Sequence, residues 1–231
     1  MKTRCLVLVL AGCFAFGGGA PTEGGPSSQP QDHTSATQRA LLNRKFSINL
    51  KGVPFHDALE MLAAQAGVDL ALDGRITAET LRRPLTLKLS KSSVYAVLHW
   101  IFRKHNLAWA VDGRTIVVAS PQFMDAGVRN RHIEFVRQTE KTWKQRVLPK
   151  LEATRMSVHV SSVPLAPLLT VVAERAELNL VWETDPETHR TRRATLQIAD
   201  ATVREILDKL LTPAGLAWSL EAEAVVVSSG R

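Results

Sequence analysis

Residues 46–72 (FSINLKGVPFHDALEMLAAQAGVDLAL) and 156–182 (MSVHVSSVPLAPLLTVVAERAELNLVW) align without a gap, and no other feature limits the fold of this chain as strongly. Phe46 falls on Met156, Ile48 on Val158, Val53-Pro54 on Val163-Pro164, Leu59 on Leu169, Ala66 on Ala176 and Leu70 on Leu180. With one residue fewer in the second copy the match continues: Thr86-Leu87 on Thr195-Leu196, Val94 on Val203, Leu98 on Leu207, Leu107-Ala108-Trp109 on Leu216-Ala217-Trp218, and Val117-Val118 on Val226-Val227. The chain is a tandem pair of one small module. At roughly 75 residues, each copy lies near the lower size limit for a self-sufficient core.

The recurring positions are apolar, or are backbone punctuation such as Pro54 and Pro164, so what recurs is a core. No Ser, His, Cys, Asp or Glu recurs in a set that could carry a reaction. Phe46, Ile48 and Leu50 alternate with polar residues, the period of a half-buried strand. Pro54 then opens a helix with Phe55, Ala58, Leu59, Leu62, Ala63 and Ala66 on one face, and Gly67 stops it. A strand at Val68 to Leu72, a polar connection, a strand through Leu85, Leu87 and Leu89, and a helix capped by Ser93 follow. Two strands around Asp112-Gly113 close the module, a strong hairpin signal. In the second copy Thr202 and Glu205 form a capping-box pattern, and Glu221-Ala222-Glu223 reads as a looser turn. The expectation is an α+β fold of two tandem modules, each strand, helix, two strands, helix, two strands, at 43–120 and 156–231.

Between them, residues 121–155 carry eight Lys or Arg against four acidic residues and read as a basic helical linker that Leu148-Pro149 ends. At the N-terminus, Lys2 and Arg4 precede a short apolar run of the kind found in export signals, taken as residues 1–20. That run is well short of the ~20 residues that span a bilayer. Leu10-Ala11-Gly12-Cys13 resembles a lipobox, which makes Cys13 the candidate lipidation site; cleavage after Gly17 is the alternative. Residues 21–42 are rich in Gly, Pro, Ser and Thr and read as a disordered tether. Both cysteines, Cys5 and Cys13, fall in the signal, which excludes disulfides, cysteine nucleophiles and thiolate metal sites from the folded part. The net charge of +7 suits, in an exported protein, anionic lipid, wall polymer or an acidic partner.

An apolar strand, then Val-Pro-(Phe/Leu) opening a helix with Leu59-Glu60-Met61-Leu62-Ala63 or Leu169-Thr170-Val171-Val172-Ala173, then a capped helix leading to Leu-Ala-Trp and Val-Val, resembles the short N-terminal (STN) domain of secretins and TonB-dependent transducers. The resemblance covers both repeats and rests on hydrophobic spacing. It implies non-enzymatic periplasmic modules that dock on another protein. No β-barrel pattern accompanies the modules, so the expectation is a binding protein of the periplasm or outer membrane, in a secretion or signalling complex, rather than a secretin or a receptor.

Arg82-Arg83 and Arg192-Arg193 precede the third strand of each module, and Arg190 adds a charge in the second. Paired guanidinium groups hold carboxylates or phosphates bidentately, so these five are the candidate partner-binding residues; a solvated connection is the plainer reading. Trp109 and Trp218 read as core residues under the second helix of each copy. His99 and His105 are six apart and off metal-ligand register, and Asp69, Asp73 and Glu79 have only one acidic counterpart, so no metal, no cofactor and no catalytic residue is expected. No Gly-x-x-Gly loop or aromatic stacking pattern points to nucleic acid. A wall-polymer-binding or hydrolytic protein is the alternative to envelope docking, and an intracellular regulator with a misassigned start is a third reading.

Overall fold

A computed structural model describes residues 30–183, 189 and 191–230. The expected export signal, Cys13 and Arg190 lie outside the described residues. The first module runs α1 (Pro30–Asn43), β1 (Lys45–Pro54), α2 (Phe55–Ala66), β2 (Asp69–Leu72), α3 (Ala78–Arg82), β3 (Pro84–Ser93), α4 (Val94–Lys104), β4 (Ala108–Asp112) and β5 (Thr115–Ala119). After α5 (Ala126–Ala153) the second repeats it as β6 (Arg155–Pro164), α6 (Leu165–Arg175), β7 (Asn179–Trp182), β8 (Arg193–Thr202), α7 (Val203–Leu211), β9 (Leu216–Glu221) and β10 (Ala224–Ser229). Apart from α1 and the short α3, which falls in the stretch read as a polar connection, this is the α+β order that the alternation and helical spacing predict.

In each copy the first and third strands form a two-stranded antiparallel ribbon, β1–β3 and β6–β8, with Leu50 opposite Leu87 and Val160 opposite Leu196. The other three make a small mixed sheet, ordered β2-β5-β4 and β7-β10-β9. The apolar stripes predicted for the helices are the buried ones: Phe55, Leu59 and Leu62 of α2 meet Val94, Leu98 and Ile101 of α4, and Leu165, Leu169 and Val172 of α6 meet Val203, Ile206 and Leu207 of α7.

Backbone punctuation recurs even where residue type does not. Five matched pairs have left-handed φ: Gly52 and Ser162, Gly67 and Glu177, Lys91 and Asp200, Asn106 and Gly215, Gly113 and Ala222. Gly67 closes α2 with its N–H on Ala63 and Ala64 carbonyls, at no steric cost. Glu177 takes the same conformation with a Cβ, a cost of about 1 kcal/mol.

Three local expectations are corrected. The stretch read as a tether up to residue 42 contains α1, whose Leu41 is 1% exposed. The repeat in fact begins one helix earlier than its sequence match: α1 leads into β1 as α5 leads into β6, and Leu41 corresponds to Leu151, also 1% exposed. Pro149 does not end α5, which runs on to Ala153 because Trp143, Val147 and Leu151 form one stripe buried against module 2. With Phe135 and Val136 packed on module 1, this 28-residue helix touches both cores over about 42 Å. Finally, Ala222 and Glu223 form a tight two-residue turn, Glu221 pairing directly with Ala224 and both turn residues at positive φ. Among the described residues no helix is long and apolar enough to cross a membrane.

Candidate binding surfaces

That strained turn is held because it is the point where module 2 meets module 1. Ala222 is fully buried; its carbonyl accepts from Trp100 Nε1 at 3.0 Å, and its N–H donates to Glu140 Oε1 of α5 at 2.9 Å. Glu223 binds Lys45 Nζ at 2.8 Å, and Glu221 binds His99 Nε2 at 2.8 Å and the Arg103 guanidinium, which also reaches Glu183. The hydrogen bond from His99, aided by Arg103, pulls the Glu221 carboxyl down to about 2. Asn179 at the start of β7 accepts from Ser90 N at 2.7 Å and donates to Ser92 Oγ at 2.8 Å, so it covers the outer edge of β3. Val181, Ala222, Ala224 and Val226 complete the apolar part of the seam against the first core. In the first copy the matching turn is covered by α1 instead, Thr37 Oγ1 donating to Gly113 O and Gly113 N to Thr34 Oγ1, each at 2.9 Å.

The receiving surface on α4 is Tyr95, His99 and Trp100; on α7 the same positions are Arg204, Asp208 and Lys209. Module 2 therefore presents a polar version of the surface by which module 1 holds its neighbour. Trp109 and Trp218 diverge with it. Trp109 is buried among Tyr95, Phe102 and His132 as expected, whereas Trp218 is half-buried on α7, donating to Asp208 Oδ1 at 2.7 Å beneath Arg204.

Of the predicted arginines, Arg83 and Arg192 lie at matched places, while Arg193 stands where the first copy has Pro84, and their side chains are in different states. Arg82 is exposed in the last turn of α3, and Arg83 pairs with Glu79 at 3.2 Å. Nearby, Lys104 crosses to the Thr86 carbonyl at 2.8 Å, and His105 is buried with its ring 4.1 Å from Phe55. Burial, with Arg83 and Lys104 close by, lowers the His105 pKa. In module 2 the position of Lys104 is Pro213, which cannot reach across, and a cavity of about 520 Å³ opens there. Arg192, Arg193 and Lys209 line it with Thr195, Leu165 and the 213–215 backbone, and among the described residues no carboxylate is in its walls. Arg192 Nη1 donates to Ala214 O and Arg193 Nη1 to Ser162 O, which fixes both side chains while leaving four further N–H groups on each. Among the described residues no hydrogen bond or ion pair joins Arg82 and Arg83 to Arg192 and Arg193, whose side chains bond within their own modules.

Lys209 was not among the sequence candidates; its signal is the exchange of a buried Trp100 for a cation at a matched position. The seam cavity, about 510 Å³, is a weaker candidate because Lys45, Lys88 and Lys150 on its rim are already paired with Glu223, Glu174 and Glu177. Asp73 is engaged by Arg75 and Glu79 by Arg83, so the acids considered in the sequence do not converge. Among the described residues no three His, Cys, Asp or Glu side chains could hold a metal ion.

No family model and no curated protein sequence matches this chain. Among solved structures it is similar to the crystal structure of a candidate anti-sigma factor from Parabacteroides distasonis, with a TM-score of 0.29 and 14% identity over 38% of each chain. A likeness of that size leaves the family undefined, and the α+β architecture rests on the chain's own elements.

Proposed function

We propose that this chain is a non-enzymatic docking protein of the cell envelope, exported and built from two modules like the short N-terminal domains of secretins and TonB-dependent transducers. The observation that carries the reading is the seam: module 1 already binds a neighbouring protein surface, with a carboxylate-bearing turn seated on cationic and aromatic side chains. Module 2 offers an outer surface to a further partner, and its cationic cleft suits an acidic one. The partner would belong to a secretion or signalling complex, with the N-terminal segment delivering the modules to the periplasm or outer membrane.

Cross-linked capture from envelope fractions tests this against sedimentation with purified cell wall. The expected result is one defined envelope protein, lost when Arg82, Arg83, Arg190, Arg192 and Arg193 are all changed to Gln. Unchanged capture by that variant removes the arginines from the reading, and sedimentation with wall alone replaces it by polymer binding. Intact mass of the mature protein from its host decides between lipid on Cys13 and cleavage further on.

A further inference from the structure

We infer that the outer edge of β8, together with Arg192, Arg193 and Lys209, is a binding site for an extended acidic peptide that adds to the ribbon as a third strand. This rests on the docking reading of the cleft and names its ligand. Two independent observations converge on it.

The first is the internal repeat. The β6–β8 ribbon has two strands, so both outer edges lack a strand partner among the described residues. On the equivalent β3 the outer edge is in use, its Ser90 N–H bound by Asn179 of the other module. The bulge is the same in both copies, Lys91 N on Ser47 Oγ and Asp200 N on Ser157 Oγ, so Ala199 N–H faces the way Ser90 N–H does. Among the described residues no side chain meets it. An edge that the fold already uses as an interface in one copy is thus open in the other.

The second is charge. The edge starts at the cleft, where three cations stand with no carboxylate in the walls among the described residues, and the exposed positions that follow, Thr195, Gln197 and Ala199, carry no charge before Asp200. Edges that must stay unpaired are usually guarded by charge or proline along their length. Main-chain hydrogen bonds would supply affinity, and an acidic side chain reaching the guanidinium groups would fix the register.

The test is selection of a random linear-peptide display library on the full chain, followed by affinity measurements with the enriched peptides. The expected outcome is enrichment of acidic, β-prone peptides whose affinity falls at least tenfold for the R192Q/R193Q/K209Q variant, with its folding checked by circular dichroism. N-methylation of alternate peptide amides should abolish binding in one phase of the alternation and spare it in the other. Peptides without acids, no enriched peptide, or affinity untouched by the triple variant each overturn the proposal, while envelope capture still tests docking separately. Acid-dependent binding that tolerates every N-methylation overturns strand addition alone and leaves the cationic cleft as a docking site.

Discussion

Ser93 N–H donates to Glu223 Oε2 at 2.8 Å, and in the other copy Thr202 N–H donates to Glu205 Oε2 at the same 2.8 Å. Both are the second half of a capping box, in which a carboxylate three residues into the helix returns to the N-cap N–H. On α7 the box is local. On α4 the residue three along is Ala96, and the carboxylate comes from module 2 instead. The second module therefore completes a helix of the first.

Changing Glu223 to Ala should accordingly destabilise the whole chain by about 1–3 kcal/mol, since it strips a buried N–H of its acceptor and Lys45 of its partner. Urea unfolding measures this, and a change within error would show that the trans contact contributes nothing.

Leu41 lies in a stretch whose composition suggests a tether, yet it is as buried as Leu151. Leu41→Ala is expected to cost about 2–5 kcal/mol, as is Leu151→Ala. An effect below about 0.5 kcal/mol, the level of an ordinary surface substitution, would mean that α1 does not belong to the core in solution.

Ser162 holds a left-handed φ of 53° where the first copy has Gly52. Ser162→Gly should raise stability by about 0.5–1 kcal/mol, the relief of backbone strain less the entropy glycine adds to the unfolded chain. Gly52→Ala should lower it, and thermal melts of the two variants should move in opposite directions.

Two strongly shifted groups contribute most to the response to acid. His132, packed against Trp109 at 4.5 Å, is lowered from 6.5 to about 4 by burial, with His99 nearby adding to the effect. The folded pKa lies below the unfolded one, so its contribution is present above pH 6.5 and is lost as pH falls towards 4. Glu221, lowered from 4.5 to about 2 by His99, behaves likewise between those two values. Stability measured against pH should fall in two stages, with His132→Phe flattening the upper one and Glu221→Gln the lower.

Much of the architecture is legible in the sequence because it rests on periodicity. The alternation at Phe46, Ile48 and Leu50, the stripe through Leu59 and Leu62, and the Thr202–Glu205 box each state their own geometry. The seam is not legible, since it is made where the copies differ: Trp100 against Lys209, Asn179 against Asp69, Glu223 against Arg114. A repeat comparison treats such positions as variable and passes over them. The 222–223 turn reads as loose because neither residue is glycine, and its strain is tolerated in contact with α4 and α5. At the cleft, the arginines are visible as a pair before the third strand of each copy, although Arg193 takes the place of Pro84. Their difference in state depends on Pro213 standing where Lys104 does, which only the folded chain brings beside them.

With Arg204, Asp208 and Lys209 on α7 where α4 has Tyr95, His99 and Trp100, a third copy of the module would find no aromatic seat at the far end. Head-to-tail stacking through this joint is expected to stop after one step, so that the joint, reused between molecules, would not build a filament.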